Sequence, residues 1–378
     1  MRALFAAILV IAVSTVPIRA QEMRDMSILT GRKTGTYFRF GQDIAQLVLK
    51  DCGSEIMVKE SQGSLANLQR LRHEVNSQLA IVQQDTLDYL KTAAGSDPKL
   101  QAIVRGIRYV FPLYSEEVHL VTTKGSGIKR LANIAGKRVA IGEGESGTYL
   151  TASFILLLSG IDVKPVEIGQ VEGLRRLLLP ASDPDKIDAL FYVAGTPVKL
   201  FTDDKALRDQ LAGVAIDDPN VLQRYSPTQL TSEDYAWIPG KIDTVQVRSV
   251  LMTYDFQKNQ CQNVGMVANR LKANLAALKN EMGHPKWAEV DINTQLAGWQ
   301  PYSCVTKYID AEVGKDQNGK CAFVETSSTS ASAYLPPGQK ATGAPLVEKA
   351  QDTSICESGK INNPIVQSLC RNMKQLQK

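Results

Sequence analysis

Apolar and polar positions alternate in blocks along this chain, first at the period of a strand and then at that of a helix. Ser27-Ile28-Leu29-Thr30 reads as a buried strand, Gly31 to Thr36 as a polar turn and Tyr37 to Leu49 as an amphipathic helix. Residues 138–161 repeat the arrangement. There the strand Arg138 to Ile141 runs into a glycine-rich turn. Ser146-Gly147-Thr148 then opens a helix with Phe154, Leu157, Leu158 and Ile161 at helical spacing. Between the two units, Glu55 to Lys59 alternates as a strand and leads into Ser61-Gln62-Gly63-Ser64, where Ser61 or Ser64 is expected to cap a helix bearing Leu65, Leu68 and Leu71. Leu79 to Val82 is a further strand, ended by Gln83-Gln84-Asp85, with Asp85 expected as the next cap.

Strands are also expected after Ile103, over Val118 to Thr122, over Pro165 to Ile168 and over Ile187 to Tyr192, with a helix over Val171 to Leu179. Gly195-Thr196 is another strand-end turn, and Pro197 suits the first turn of a helix. Val214 to Ile216 reads as a last βαβ portion, Val245 to Tyr254 as a strand returning to the first half, and Val264 to Met282 as one helix. Such alternation predicts parallel sheets with right-handed crossovers, whose ligands lie beyond the carboxyl ends of the strands. The polar turns at Thr34, Ser61, Gln83 and Ser146 all sit at that end.

A turn that opens a helix leaves backbone N–H groups unpaired at the positive end of the helix dipole, ready to hold an anion. The expected ligand contacts are therefore Thr34, Gly35, Thr36 and Tyr37 in the first turn, then Ser61, Gly63, Ser64 and Gln83. Ser146, Gly147, Thr148 and Tyr149 face them from the second unit, with Gly195 and Thr196. Tyr37 and Tyr149 each follow a polar turn and are placed to close over a ligand. Arg32 and Lys33 read as solvated. Neither glycine signature of a nucleotide-phosphate loop is present.

An enzyme is the competing class. Gly144-Glu145-Ser146-Gly147-Thr148 approaches the nucleophile elbow of hydrolases but lacks its last glycine. None of the three histidines, His73, His119 and His284, sits in a strand-end loop suited to a catalytic base, and His73 and His119, with no companion pattern, read as structural. Glu116-Glu117 reads as a loop pair with nothing to separate the two titrations. No catalytic residue, cofactor or metal site is expected.

Composition adds location and size. Arg2, the apolar run Leu4 to Val13 and the stretch Pro17 to Ala20 predict a cleaved secretory signal over residues 1–20, too short to span a membrane. An uncleaved anchor is the rival. The formal charge is +4, from 43 basic and 39 acidic residues, a mixed surface that excludes a nucleic-acid stripe. A chain of 378 residues is longer than one core usually organises, so two lobes are expected. Cys52, Cys261, Cys304, Cys321, Cys356 and Cys370 are even in number, and in an oxidising compartment they read as disulfides. Sequence does not choose among fifteen pairings. Proximity favours Cys304–Cys321 and Cys356–Cys370, which would leave Cys52 with Cys261.

Five stretches carry a family resemblance. The segment from Thr30 to Gly41 resembles the opening glycine–tyrosine motif of the TAXI proteins, the TRAP-transporter-associated extracytoplasmic solute receptors. Ser61 to Leu68 resembles their second motif and Ala80 to Asp85 their third. Gly136 to Thr148 is similar to their second-lobe motif, and Val245 to Leu251 to the stretch that re-enters the first lobe. The resemblance implies a class II periplasmic-binding-protein fold, two α/β lobes with a ligand cleft between them. It also implies a receptor, expected to be monomeric, for a small organic anion, glutamate-like or dicarboxylate, handed to a TRAP-type permease. A periplasmic sensor signalling to a membrane partner is the alternative, and a secreted hydrolase a more distant one.

On this reading residues 21–120 begin lobe I, 121–244 form lobe II, 245–300 return to lobe I, and 301–378 are a C-terminal extension. Arg32-Lys33 and the extension, which holds four of the six cysteines, depart from the family pattern. The extension is expected to be a disulfide-pinned appendage on lobe I, with Ser327 to Gly343 as a linker and Lys360 to Gln377 as a terminal helix.

Overall fold

Two long strands organise the chain. The computed structural model describes residues 26–74, 76–95, 97–202, 209–256, 260–324 and 364–376. The expected signal segment, the linker and Cys356 lie outside the described residues.

Strand β1 (Met26–Leu29) leads to helix α1 (Thr36–Cys52), β2 (Ile56–Lys59) to α2 (Ser64–His73), and β3 (Ser77–Gln83) to α3 (Gln84–Ala93) and α4 (Pro98–Gly106). Strand β4 (Ile107–Thr123) crosses over to β5 (Arg138–Ala140), α5 (Gly147–Ser159), β6 (Lys164–Val166), α6 (Gln170–Leu177), β7 (Ala189–Ala194) and β8 (Leu211–Gly213). After α7 (Pro219–Leu222) and β9 (Ser226–Thr231), β10 (Lys241–Tyr254) returns. Helix α8 (Cys261–Ala273), helix α9 (Ser303–Tyr308), the hairpin β11 (Val313–Lys315) and β12 (Cys321–Phe323), and helix α10 (Pro364–Leu376) follow.

The main sheet runs β2-β1-β3-β10-β4-β7-β5-β6, with β8 on β4 and β9 on β10. β1 pairs parallel with β2 and β3, and β5 pairs parallel with β6 and β7. Each trio is the sheet of one lobe. Between them β4 and β10 pair antiparallel from Gln246 opposite Glu117 to Tyr254 opposite Ile107. Because both strands run through both lobes, the lobes share two continuous backbone crossings. This is the two-lobed α/β architecture of the class II periplasmic-binding-protein fold.

The sheet is not purely parallel, since both crossing strands oppose their neighbours. Sequence periodicity suggested two strands where β4 is one of 17 residues. Its polar triplet Ser115-Glu116-Glu117 breaks the apolar pattern, yet the backbone there is paired to β10. Val214 to Ile216 is no βαβ portion; the neighbouring strand, β8, is antiparallel to β4. The helix expected over 264–282 is broken at Asn274, after which a short α-helical turn, Leu275–Ala277, and a π-helical turn, Leu278–Met282, complete it.

Residues 301–324 pack on lobe I. Asn269 on α8 donates to the carbonyls of Tyr308, Ile309 and Ala311 at 2.9, 3.2 and 2.9 Å, and Tyr308 stacks on Phe323. Two disulfides fasten this segment, Cys52–Cys321 and Cys261–Cys304. Neither is a pairing that proximity in sequence favoured: Cys304 opens α9 against α8, and Cys321 lies at the end of α1, so spatial neighbours are far apart in the chain. Cys370 is also disulfide-bonded; the expected pairing with Cys356 falls on a residue outside those described. The last helix departs from expectation too, because α10 touches lobe II as well as lobe I.

Candidate functional site

Three helices begin at one cavity between the lobes, and none has an acidic residue in its first turn. Two of their N-caps are glycines, Gly35 before α1 and Gly63 before α2, so no side chain neutralises those ends. The N–H groups of Thr36, Tyr37, Gly147 and Thr148 have no partner among the described residues. Their dipoles add at the cavity, where an anion gains most. Its volume is about 60 Å³, room for several waters at about 10–15 Å³ each.

Sequence dictates the turns that shape it. Asn67 is fully buried on α2 and donates to the carbonyls of Thr30 at 2.6 Å and Ile81 at 2.8 Å. The Ser61 hydroxyl lies 2.7 Å from both Asn67 Oδ1 and the Thr30 carbonyl, and accepts from Gly63 N–H at 2.9 Å. One side chain thus ties the ends of β1 and β3 to the start of α2. Gly63 has φ +128°, and a Cβ there would sit 3.2 Å from Gly147 N in the other lobe. Gly142 has φ +95°, with an added Cβ 2.7 Å from Tyr149 N. Both positions therefore need glycine.

Of the residues expected to meet a ligand, Gly35, Thr36, Tyr37, Gly63, Ser64, Gln83, Ser146, Gly147 and Thr148 line this cavity. The others do not. Thr34 is exposed beside it. Ser61 works in the turn just described. Tyr149 is buried in the main core. Gly195 packs on Tyr114 and accepts from Thr36 Oγ1 at 3.1 Å, and Thr196 N–H donates to Glu117.

Several hydroxyls already have structural duties. Ser146 Oγ caps α5 by accepting from Tyr149 N–H at 3.0 Å, Ser64 Oγ accepts from Gln83 N–H at 3.0 Å rather than capping α2, and Thr148 Oγ1 accepts from Val193 N–H at 3.1 Å. Each hydroxyl keeps its O–H and one lone pair beyond these bonds. Thr148→Ala is therefore expected to lower stability by about 1–3 kcal/mol by stranding a buried N–H. Ser146→Ala should lower it by about 1 kcal/mol. Urea melting checks both; unchanged stability in Thr148→Ala would show that the Val193 contact is dispensable.

The cavity also has walls that periodicity did not mark. Arg32 lines it and pairs with Glu143 of the other lobe at 2.6 Å. Glu116 from β4 and Tyr192 from β7 complete the floor. Glu116 is 2% exposed, and Tyr37 OH donates to its Oε2 at 2.7 Å. Burial pushes this carboxyl well above its usual range; the Tyr37 bond opposes the rise, and nearby Asp85 and Glu117 add to it. The two glutamates are thus mid-strand groups in different surroundings, not the undifferentiated loop pair that the sequence suggested. Glu117 instead pairs with Lys286.

Further contacts join the lobes. Ala66 N–H donates to the Glu145 carbonyl at 3.1 Å. Asp85 Oδ2 accepts from Thr151 at 2.6 Å and from Tyr225 at 3.0 Å. Asp85 is therefore an interlobe tie, not the cap of α3, and burial raises its carboxyl to about 6. With Arg32–Glu143, these contacts bridge the two lobes around the cavity. His119 is buried, its ring nitrogens at 3.1 Å from the Tyr192 carbonyl and 2.8 Å from Tyr235 OH. Among the described residues no group of His, Cys, Asp and Glu is arranged to hold a metal ion.

A family model described as the NMT1-like family matches residues 28–233. That is more than half of the chain and includes every segment lining the cavity. This chain belongs to the NMT1-like family. Among solved structures, the NMT1-like chain is similar to a periplasmic transporter at 15% identity and a TM-score of 0.46, covering 68% of this chain and 83% of that one. It is similar to the periplasmic binding protein BugD at 10% identity and 0.45, covering 70% and 84%. It is also similar to Tv2483, solved with L-arginine, at 14% identity and 0.44, covering 72% and 95%. The fold rests on the topology above and takes nothing from these scores.

Proposed function

We propose that this protein is an extracytoplasmic solute receptor whose lobes close on a small organic anion, glutamate-like or dicarboxylate, for delivery to a TRAP-type permease. The observation that carries the reading is the cavity between the lobes. Three helix N-termini with no acidic residue in their first turns meet there, with unpaired N–H groups from both lobes and Arg32 at its edge. Such a site neutralises a carboxylate without a metal or cofactor. The motifs resembling TAXI receptors, from Thr30 to Thr148, supply this wall and support the permease as the destination. Residues 21–120 and 245–300 are assigned to lobe I and 121–244 to lobe II, with β4 and β10 as the hinge. The signal-like segment 1–20 supports a periplasmic site of action.

The lining disfavours hydrolysis. Ser146 Oγ caps its own helix with no histidine beside it, since both ring nitrogens of His119 are engaged with Tyr192 and Tyr235.

Thermal unfolding with L-glutamate, L-glutamine, 2-oxoglutarate, succinate and malate tests the reading. A true ligand at a hundred times its Kd stabilises by about 2.7 kcal/mol and raises the melting temperature accordingly. No shift from any of them at millimolar concentration would remove the small-anion reading.

A further inference from the structure

Helix α10 lies where the lobes meet. It packs against α2, and Tyr89 OH of α3 lies 3.5 Å from the Leu369 carbonyl, so one side of it belongs to lobe I. The other side belongs to lobe II. Asn372 Nδ2 donates to the Gly144 carbonyl, and Arg371 lies 3.7 Å from the Glu167 carboxylate. Ile365 and Leu369 are buried in a core cluster that also holds Leu65, Tyr89, Tyr149 and Phe154, residues of both lobes. The contact with Gly144 falls two residues before Ser146, within the turn that presents the unpaired N–H groups of α5.

We propose that α10 is a clasp that favours the closed arrangement of the lobes. The physical reason is differential contact. Rotation about β4 and β10 separates α2 and α3 from Gly144 and Glu167, and a rigid helix of 13 residues keeps only one of the two sets. A segment that makes more contacts with one state shifts the population toward it. The clasp therefore raises the closed fraction before any ligand arrives, and it holds the Gly142–Ser146 turn in place. The proposal goes beyond the ligand assignment, because it concerns the free protein and stands whatever solute the cavity takes.

The experiment uses the full chain without ligand. Leu369→Asp places a charge in the apolar seat and is expected to undock the helix. Arg371→Ala with Asn372→Ala removes only the polar contacts to lobe II and spares the core, so it decides the matter if the first variant does not fold. Hydrogen exchange reports release of residues 364–376 and opening at residues 142–150, and small-angle scattering reports the radius of gyration. Release should raise exchange over 142–150 by about tenfold or more, with a larger radius, while the β4–β10 pairing stays protected. A released helix with unchanged exchange at 142–150 and an unchanged radius would overturn the clasp. A helix that remains protected in every variant that folds would do the same.

Discussion

Replacing Lys286 by methionine is expected to cost about 3–5 kcal/mol at pH 8, because it leaves Glu117 buried without its cation. The two side chains are 7% and 8% exposed, with Nζ 2.5 Å from Glu117 Oε1 and 2.6 Å from Glu289 Oε1. Burial lowers the Lys286 ammonium, but the two carboxylates outweigh it and leave the group above its usual value. Glu117 ends up raised as well, since its burial exceeds the pull of the lysine. The pair is thus held by its hydrogen bonds against a desolvation cost, and Glu117 Oε2 accepts from Thr196 N–H at 3.0 Å. That bond fixes the turn whose Gly195 carbonyl meets Thr36 at the cavity wall.

The pH dependence follows from the sign of the Glu117 shift. Without Lys286 its folded pKa rises further above the unfolded value. The ionised carboxylate is then most costly at high pH, and the defect shrinks as pH falls and the group protonates. Urea melts of Lys286→Met at pH 8 and pH 5 should show the larger loss at pH 8. The double variant with Glu117→Gln should recover much of it. A loss below about 1 kcal/mol at pH 8 would show that the pair is not what secures this turn.

The strand–turn–helix units were legible because each encodes two periods in a row, with a glycine or serine where the period changes. That logic located the turns around Thr34, Ser61, Gln83 and Ser146, and from them Gly35, Gly63, Gln83 and Ser146 line the cavity. It does not distinguish a turn residue that faces a ligand from one that builds the turn. Ser61 and Thr196 are polar for local backbone reasons, and Tyr149 follows its turn yet points into the core. Glu116 and Tyr192 escaped for the opposite reason. They reach the cavity from crossing strand β4 and from β7, where pattern announces only burial, and a glutamate there reads as a break in the strand. Nor does one sequence reveal a helix such as α10, whose stripe of Ile365 and Leu369 says that it docks but not on which lobe.

Removing the Cys52–Cys321 bridge, as Cys52→Ser with Cys321→Ser, is expected to cost roughly 4–5 kcal/mol, more than removing Cys261–Cys304 at roughly 3–4 kcal/mol. The order follows from loop length. The first bridge joins residues 269 apart and the second residues 43 apart, so the first restricts the unfolded chain more. The folded-state contacts point the same way. The β11–β12 hairpin is held on α1 through Cys321, whereas α9 keeps its place on α8 through the three hydrogen bonds of Asn269 even without its disulfide. Urea denaturation of the two double variants under non-reducing conditions measures both costs. If the loss of Cys261–Cys304 proved the greater, strain or residual structure in the unfolded chain would outweigh loop entropy. The C-terminal segment would then owe its place to α8 rather than to its bridge across the length of the protein.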